Sequence, residues 1–378
     1  MKRTDFSVDW LFAACAPDTE LLPWNAQFTP VDLPHDWQIR HADDLYRDGT
    51  LFYRKYFFVT DVPGTRRMLW FGGAYMDTTV FVNGTEVGQW KYGYTSFWFD
   101  ITDALHEGQN EVLVRCNLRH PNSRWYSGAG LYRNVELWEA PDLHLMPDGL
   151  YVAAKESDNG AWTVAVTAEV GSVTAASAGH TLTLHLTDDN GSLLGTAAIP
   201  ADAWAALPSP DGWRTGKETA IYKASHTFTL QDPALWDLDA PNFYHITAEL
   251  TGADGVTDTL TTRFGCRTIE ATPDCGLLVN HKRVLIKGVC IHHDFGCLGS
   301  AFEYSAAKRQ LEILKSMGVN SIRTGHTPPA PQFMDLADEM GILMDVESFD
   351  CWRSGKNPYD YGRFFDEWQE KDVAAWIR

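Results

Sequence analysis

Apolar and polar positions alternate with period two over roughly the first 260 residues, and a helical period takes over only toward the C-terminus. Residues 78–90 alternate about Asn83-Gly84, the strongest short-range signal for a hairpin. Further strands are predicted at Tyr53–Val59, Arg67–Phe71, Glu111–Cys116 and Asn134–Trp138, separated by turns rich in Pro, Gly and Asp, which suits an antiparallel sandwich. Asn83-Gly84-Thr85 also reads as a glycosylation sequon, but the turn accounts for it. A boundary is expected at Ala140-Pro141-Asp142. Period-two runs then resume at Trp162–Val170, Thr181–Leu186, Ser225–Leu230 and Tyr244–Leu250 and end near Arg263–Thr268, a spacing that fits an immunoglobulin-like sandwich.

The remaining segment reads β-α-β-α-β. Strands are predicted at Arg283–Ile291, Asn320–Arg323 and Ile342–Glu347, short and apolar enough to be buried on both faces. A helix over Ala306–Met317, capped by Ser305 and stopped by Gly318, presents Ala307, Leu311 and Leu314 on one side. A second starts near Pro331, shows Phe333, Leu336, Ala337 and Met340, and stops at Gly341; a third runs from Phe365. Leu277–Ile286 is expected to form a hairpin with its turn at Asn280-His281, closing the bottom of a barrel. Each of the three strands ends in polar side chains: His292-His293-Asp294, then His326, then Glu347, Asp350 and Trp352. In a βα barrel the loops after the strands converge on the active face, so this clustering predicts an enzyme.

With 378 residues the chain has room for two or three domains with real cores. A formal charge of −19 without clustered Lys and Arg excludes nucleic acid as a partner. No apolar run is long enough to cross a bilayer, and Asp5 and Asp9 interrupt any signal-peptide core, so neither membrane partner nor secretion is expected. Seven unpaired-looking cysteines fit reduced thiols in the cytoplasm. The chain is rich in Trp, Tyr and Phe, residues that build cores and also stack on the apolar faces of pyranosides.

Several local sequences in order carry a resemblance. They are Leu33-Pro-His-Asp36-Trp37, Pro121-Asn-Ser-Arg124-Trp125-Tyr126 through Arg133, Leu235-Trp236 leading to Pro241-Asn-Phe-Tyr244, Lys287-Gly-Val, Ile322-Arg323-Thr-Gly-His326, and Met344-Asp-Val-Glu347-Ser-Phe-Asp350-Cys-Trp352. Together they resemble glycoside hydrolase family 2, most closely its β-galactosidase branch. The resemblance implies a multidomain chain, mainly β plus α/β: a jelly-roll-like sugar-binding sandwich over residues 1–140, an immunoglobulin-like sandwich over 141–268, and over 269–378 the first part of a (β/α)8 barrel, roughly three of its eight βα units. It also implies retaining hydrolysis of terminal β-glycosidic bonds by two glutamates about 5 to 5.5 Å apart. No Asn-Glu pair of the family type follows Glu347, so both catalytic glutamates are expected beyond Arg378 and no catalytic residue is assigned here. On this expectation the sequence is the N-terminal part of a longer enzyme, inactive without the missing barrel half, with which it pairs unless it self-associates. The alternative is a non-catalytic carbohydrate-binding or interaction module.

The expected partner is a β-glycoside or oligosaccharide. His292 and His326 match sugar-contacting positions of the family, with Gly325 replacing its usual Ser, and Glu347 matches a wall residue that in some members binds magnesium. No cofactor and no metal site are assigned, since the spacing of His292, His293, Asp294, His326 and Glu347 fits no compact zinc motif; magnesium stays open for the complete enzyme. Arg323, Asp350, Trp352, Arg124 and Trp125 complete the expected substrate-binding set. Trp125 can equally seal the joint between sandwich and barrel, His293 can cap a neighbouring loop, and Asp36-Trp37 is read as structural. Asp345 is expected to be a buried partner of a neighbouring cation, and the Trp90–Tyr94 run to cover a sheet face.

Overall fold

The computed structural model describes residues 1–378 except 42, 61–63, 175–177, 209–215, 254 and 378. Two antiparallel sheets make the first sandwich. Six strands run in the order Thr29–Val31, Trp10–Cys15, Gly49–Val59, Gly108–Leu118, Thr78–Val82, Thr85–Trp90, and four in the order Lys2–Asp5, Val135–Pro141, Thr65–Phe71, Phe97–Asp100. The predicted hairpin forms because Asn83 and Gly84 both take positive φ, 49° and 78°, the twist that a two-residue turn needs.

A second sandwich pairs Leu143–Glu156, Ala161–Ser172, Ala220–Gln231 and Ala205–Ala206 in one sheet, and Leu193–Pro200, Thr181–Asp188, Tyr244–Gly252 and Gly255–Phe264 in the other. Alternation is strict where it matters: Trp162, Val164, Val166, Ala168 and Val170 all point inward from one strand and are buried. Strands Ile269–Thr272, Gly276–Val279 and Lys282–Arg283 follow as a small antiparallel sheet. Its turn also uses two positive φ values, 50° at Asn280 and 61° at His281, so histidine fills a position that usually goes to glycine.

Strands β1 (Gly288–Ile291), β2 (Ser321–Thr324) and β3 (Leu343–Val346) then form a parallel sheet in that order, joined through α1 (Tyr304–Ser316) and α2 (Pro331–Glu339). Ala307, Leu311, Ile322, Phe333, Leu336 and Ala337 form the core between sheet and helices. Burying each Leu, Ile or Phe there contributes roughly 1.5–3 kcal/mol. A third helix, α3, spans Phe365–Ile377.

Four expectations need correction. Ser305 lies inside α1, whose N-cap is Glu303 with no side-chain cap. The long first strand is broken: Asn320 accepts from the Lys287 amide at 2.8 Å and donates to the Leu285 carbonyl at 3.0 Å, replacing ladder bonds, and Leu285 and Ile286 are exposed. Only β2 is buried as a two-faced strand should be, because β1 and β3 are the edges of this sheet and carry half-buried and exposed positions but no buried one. Asp345, on β3, is exposed and makes no ion pair among the described residues, although Arg323 lies beside it in the ladder.

The loops beyond the strand ends dock on the first sandwich. Phe349, Tyr361, Phe365 and Trp368 belong to the same buried cluster as Trp90, Tyr92 and Tyr94, so the Trp90–Tyr94 run is core. Phe349 stacks on Tyr361 at 5.2 Å, and the Tyr92 hydroxyl donates to the Ser348 carbonyl at 2.6 Å. The buried guanidinium of Arg133 donates to three carbonyls, of Gly72 at 3.1 Å, Tyr94 at 2.7 Å and Pro328 at 3.2 Å, crossing from sandwich to barrel segment. The second sandwich is tied in as well, through Trp236 Nε1 donating to the Asp338 carbonyl at 2.9 Å.

Candidate functional site

Beyond the ends of β2 and β3 lies an open hollow of about 460 Å³. Arg323, His326 and Glu347 line its barrel side, Asp350, Trp352 and Lys356 come from the loop after β3, and Arg124 reaches in from the first sandwich. Trp125 and His292 adjoin it: their rings stack at 5.1 Å with 10° between planes, and each meets His326 edge-on, at 5.6 and 6.0 Å. The eight residues singled out as substrate contacts therefore sit as one contiguous group.

Glu347 organises the inner wall. Arg323 donates to one of its oxygens, and His326 Nδ1 lies 2.6 Å from the other. Arg323 also lies 3.2 Å from this Nδ1, and with the Nδ1 proton directed at Glu347 the other ring nitrogen, Nε2, is left to meet a ligand hydroxyl. Arg323 is held above the usual arginine range, chiefly by its contact with the Cys290 sulfur and then by Glu347. Both oxygens of Glu347 are engaged by donor groups, so a metal ion bound there would share them with Arg323 and His326. Among the described residues no group of three or more His, Cys, Asp or Glu could hold one.

Asp350 organises the outer wall. Arg124 donates to it at 2.5 Å and Lys356 at 2.7 Å. Burial pushes the Asp350 carboxyl up, but these two cations outweigh it and hold the group below the usual carboxylate range. Lys356 carries no motif; its only sequence signal is a cation six residues after Asp350, and sequence reasoning missed it.

His293 turns away from the hollow. It donates from Nε2 to the Ser127 carbonyl at 2.9 Å, packs edge-on against Tyr94 and Tyr132, and burial pushes it down to about 4, so it stays neutral and structural. Tyr126 is likewise committed, donating to Asp36 at 2.6 Å. Asp36 is a hub: it also accepts from the amides of Gln38 at 3.0 Å, Ala129 at 3.1 Å and Ser300 at 2.8 Å, and from the Ser300 hydroxyl at 3.0 Å. This clamp fixes the 122–130 loop, and with it Arg124 and Trp125, against the loop after β1. Trp125 thus does both things open to it, sealing the joint and bordering the hollow.

Comparison with known proteins places this geometry. Three family models match consecutively: the sugar binding domain of glycosyl hydrolases family 2 over residues 23–141, the glycosyl hydrolases family 2 model over 144–267, and the family's TIM barrel domain over 271–368. A β-galactosidase of Bacteroides ovatus is 35% identical over 395 residues, covering 100% of this chain and 44% of the relative. A putative β-glucuronidase of Formosa agariphila is 32% identical, covering 99% and 36%. Among solved structures, a family 2 member from Bacteroides cellulosilyticus superposes with a TM-score of 0.87 at 27% identity, over 100% of this chain and 50% of that one. A β-glycosidase from Bacteroides vulgatus gives 0.85 at 28%, over 100% and 48%. The chain thus spans half or less of the length of these proteins. With its two sandwiches and the start of a barrel in the family's order, this chain belongs to glycosyl hydrolase family 2.

Proposed function

We propose that this chain supplies the sugar-recognition wall of a retaining β-glycosidase that acts on terminal β-linked sugars, with a β-galactoside as the preferred class. The observation that supports it most is the convergence of Arg323, His326 and Glu347 with Arg124, Trp125 and Trp352, from two domains, on one hollow. Aromatic faces there meet the apolar face of a pyranose, and His326 Nε2, the guanidinium N–H groups and the carboxylate oxygens meet its hydroxyls. Bonds to hydroxyls that strengthen as the oxocarbenium-like transition state forms would lower the barrier.

Asp350 does not suit the role of general acid, which must keep its proton near neutral pH and so calls for an apolar or anionic setting, whereas Asp350 sits between two cations. In line with the family resemblance, the reading places the acid/base and the nucleophile elsewhere in the full barrel, and the 378-residue chain binds a β-galactoside without cleaving it. Isothermal titration with lactose alongside a nitrophenyl β-galactoside assay tests this. Binding without turnover, weakened at least tenfold in Glu347→Gln by loss of charge-assisted bonds, is expected; hydrolysis by the chain alone that Glu347→Gln abolishes would overturn it. The half-exposed edges β1 and β3, with Leu285 and Ile286 beside them, favour pairing with further barrel strands or self-association. Light scattering should show mass rising with concentration, and a constant monomer would refute that expectation.

A further inference from the structure

The carboxylates and cations of the hollow are not arranged symmetrically. The Asp350 side chain is 8% exposed, whereas Arg124 and Lys356, which grip it, are 51% and 42% exposed. The negative charge is turned inward and both positive charges face the opening. Three cations, Arg124, Arg323 and Lys356, line the hollow against two carboxylates, Glu347 and Asp350, in a chain whose overall charge is −19. The local surplus runs against the global field, and in a concave site such a surplus attracts anions.

Donor capacity points the same way. Arg124 uses Nε and one terminal nitrogen on Asp350, at 3.4 and 2.5 Å, and its other terminal nitrogen makes no hydrogen bond among the described residues. Lys356 spends two of its three N–H donors, on the Asp350 carbonyl at 2.6 Å and on its carboxylate at 2.7 Å. Trp352, 61% exposed, stands beside them as a flat platform. These groups lie at the rim, while His326 and Glu347, 28% and 27% exposed, lie deeper. A terminal sugar held by the deep groups would place its neighbouring unit against the rim.

Resting on the sugar-site reading above, the geometry points to a substrate that carries an anionic group, carboxylate or sulfate, on the unit adjoining the terminal sugar, gripped by Arg124 and Lys356 while that unit stacks on Trp352. The guanidinium contributes its spare N–H pair and the ammonium its third donor, so Asp350 need not be released. Asp350 serves as a positioning residue: it holds two like charges side by side, which would otherwise repel.

Titration of the 378-residue chain with lactose, lactobionate and lactose sulfated on its glucose unit, at low and high salt, tests the inference. One or both anionic probes should bind roughly tenfold tighter than lactose, the scale of a charge-assisted pair of bonds, with the gap shrinking in salt. Which probe gains separates carboxylate from sulfate. In Arg124→Gln combined with Lys356→Gln the ratio should fall toward one, and in Arg124→Lys, which keeps the charge, most of it should return; circular dichroism checks that each variant is folded. Lactose bound as tightly as both anions, or a preference that survives the double variant, removes the charge inference alone. Failure of all three probes to bind overturns the sugar-site reading as well.

Discussion

The two sides of the hollow are built in opposite ways. On the sandwich side, the groups that fasten the joint are buried and heavily bonded: Asp36 takes five hydrogen bonds and Arg133 gives three. On the barrel side, the strands that carry His292, Arg323 and Glu347 are four residues each, and two of the three are half exposed edges. The site is thus held from outside the sheet that bears most of it. Its rigidity resides in the clamp between the 122–130 loop and the loop after β1, and in the aromatic layer that receives α3.

Breaking the clamp should have the largest effect. Asp36→Ala leaves three backbone amides and two hydroxyls without an acceptor in a buried place, and should cost about 4 kcal/mol or more in urea unfolding. A loss under about 1 kcal/mol would mean that the sandwich side is no better fastened than the barrel side.

The aromatic layer gives the next largest effect, and it depends on pH. Asp372 of α3 is fully buried, accepting from the Tyr361 hydroxyl and from Thr95 at 3.1 Å, and burial pushes its carboxyl up to about 7. A carboxyl whose folded value lies above its ordinary one holds its proton more tightly when folded. Its contribution is complete below the ordinary carboxylate range and is lost as pH rises toward 7. Stability reported by tryptophan fluorescence should therefore fall by a few kcal/mol between pH 4 and 7, and Asp372→Asn should flatten that slope; an unchanged slope would assign the titration to other groups.

The smallest effect is expected on the exposed barrel side. Arg353 and Asp366 pair at 2.7 Å with side chains 75% and 76% exposed. Arg353→Ala should move stability by no more than about 0.5 kcal/mol, and a larger loss would show that the barrel segment stabilises itself more than its burial pattern indicates.

Much of this contrast was legible only in part from the chain. Both two-residue turns could be read at Asn83-Gly84 and Asn280-His281, since turn geometry is a local property. The apolar period of α1 and α2 was equally local. What escaped reading depends on distant partners. Apolar composition made β1 and β3 look buried, yet burial of a strand is decided by its neighbours in the sheet. Tyr92 bonds to Ser348 across 256 positions, and no window of sequence reveals such a pairing. In the hollow, the motifs brought the right residues together on paper, but the division of labour, Glu347 with Arg323 and His326, Asp350 with Arg124 and Lys356, emerged only from coordinates.

Asp36 has a further meaning for how the protein is made. Its carboxylate waits for Ser300, 264 positions later in the chain. The sandwich's last strand ends at Pro141, and synthesis runs at about 5–20 residues per second, so roughly 10–30 seconds pass before Ser300 arrives, with Asp36 bonded only to groups of its own domain. During that interval the sandwich is a shell with an open latch, and the nascent barrel segment closes it on arrival, bringing Ser300 to Asp36 and Phe349, Tyr361, Phe365 and Trp368 to its core.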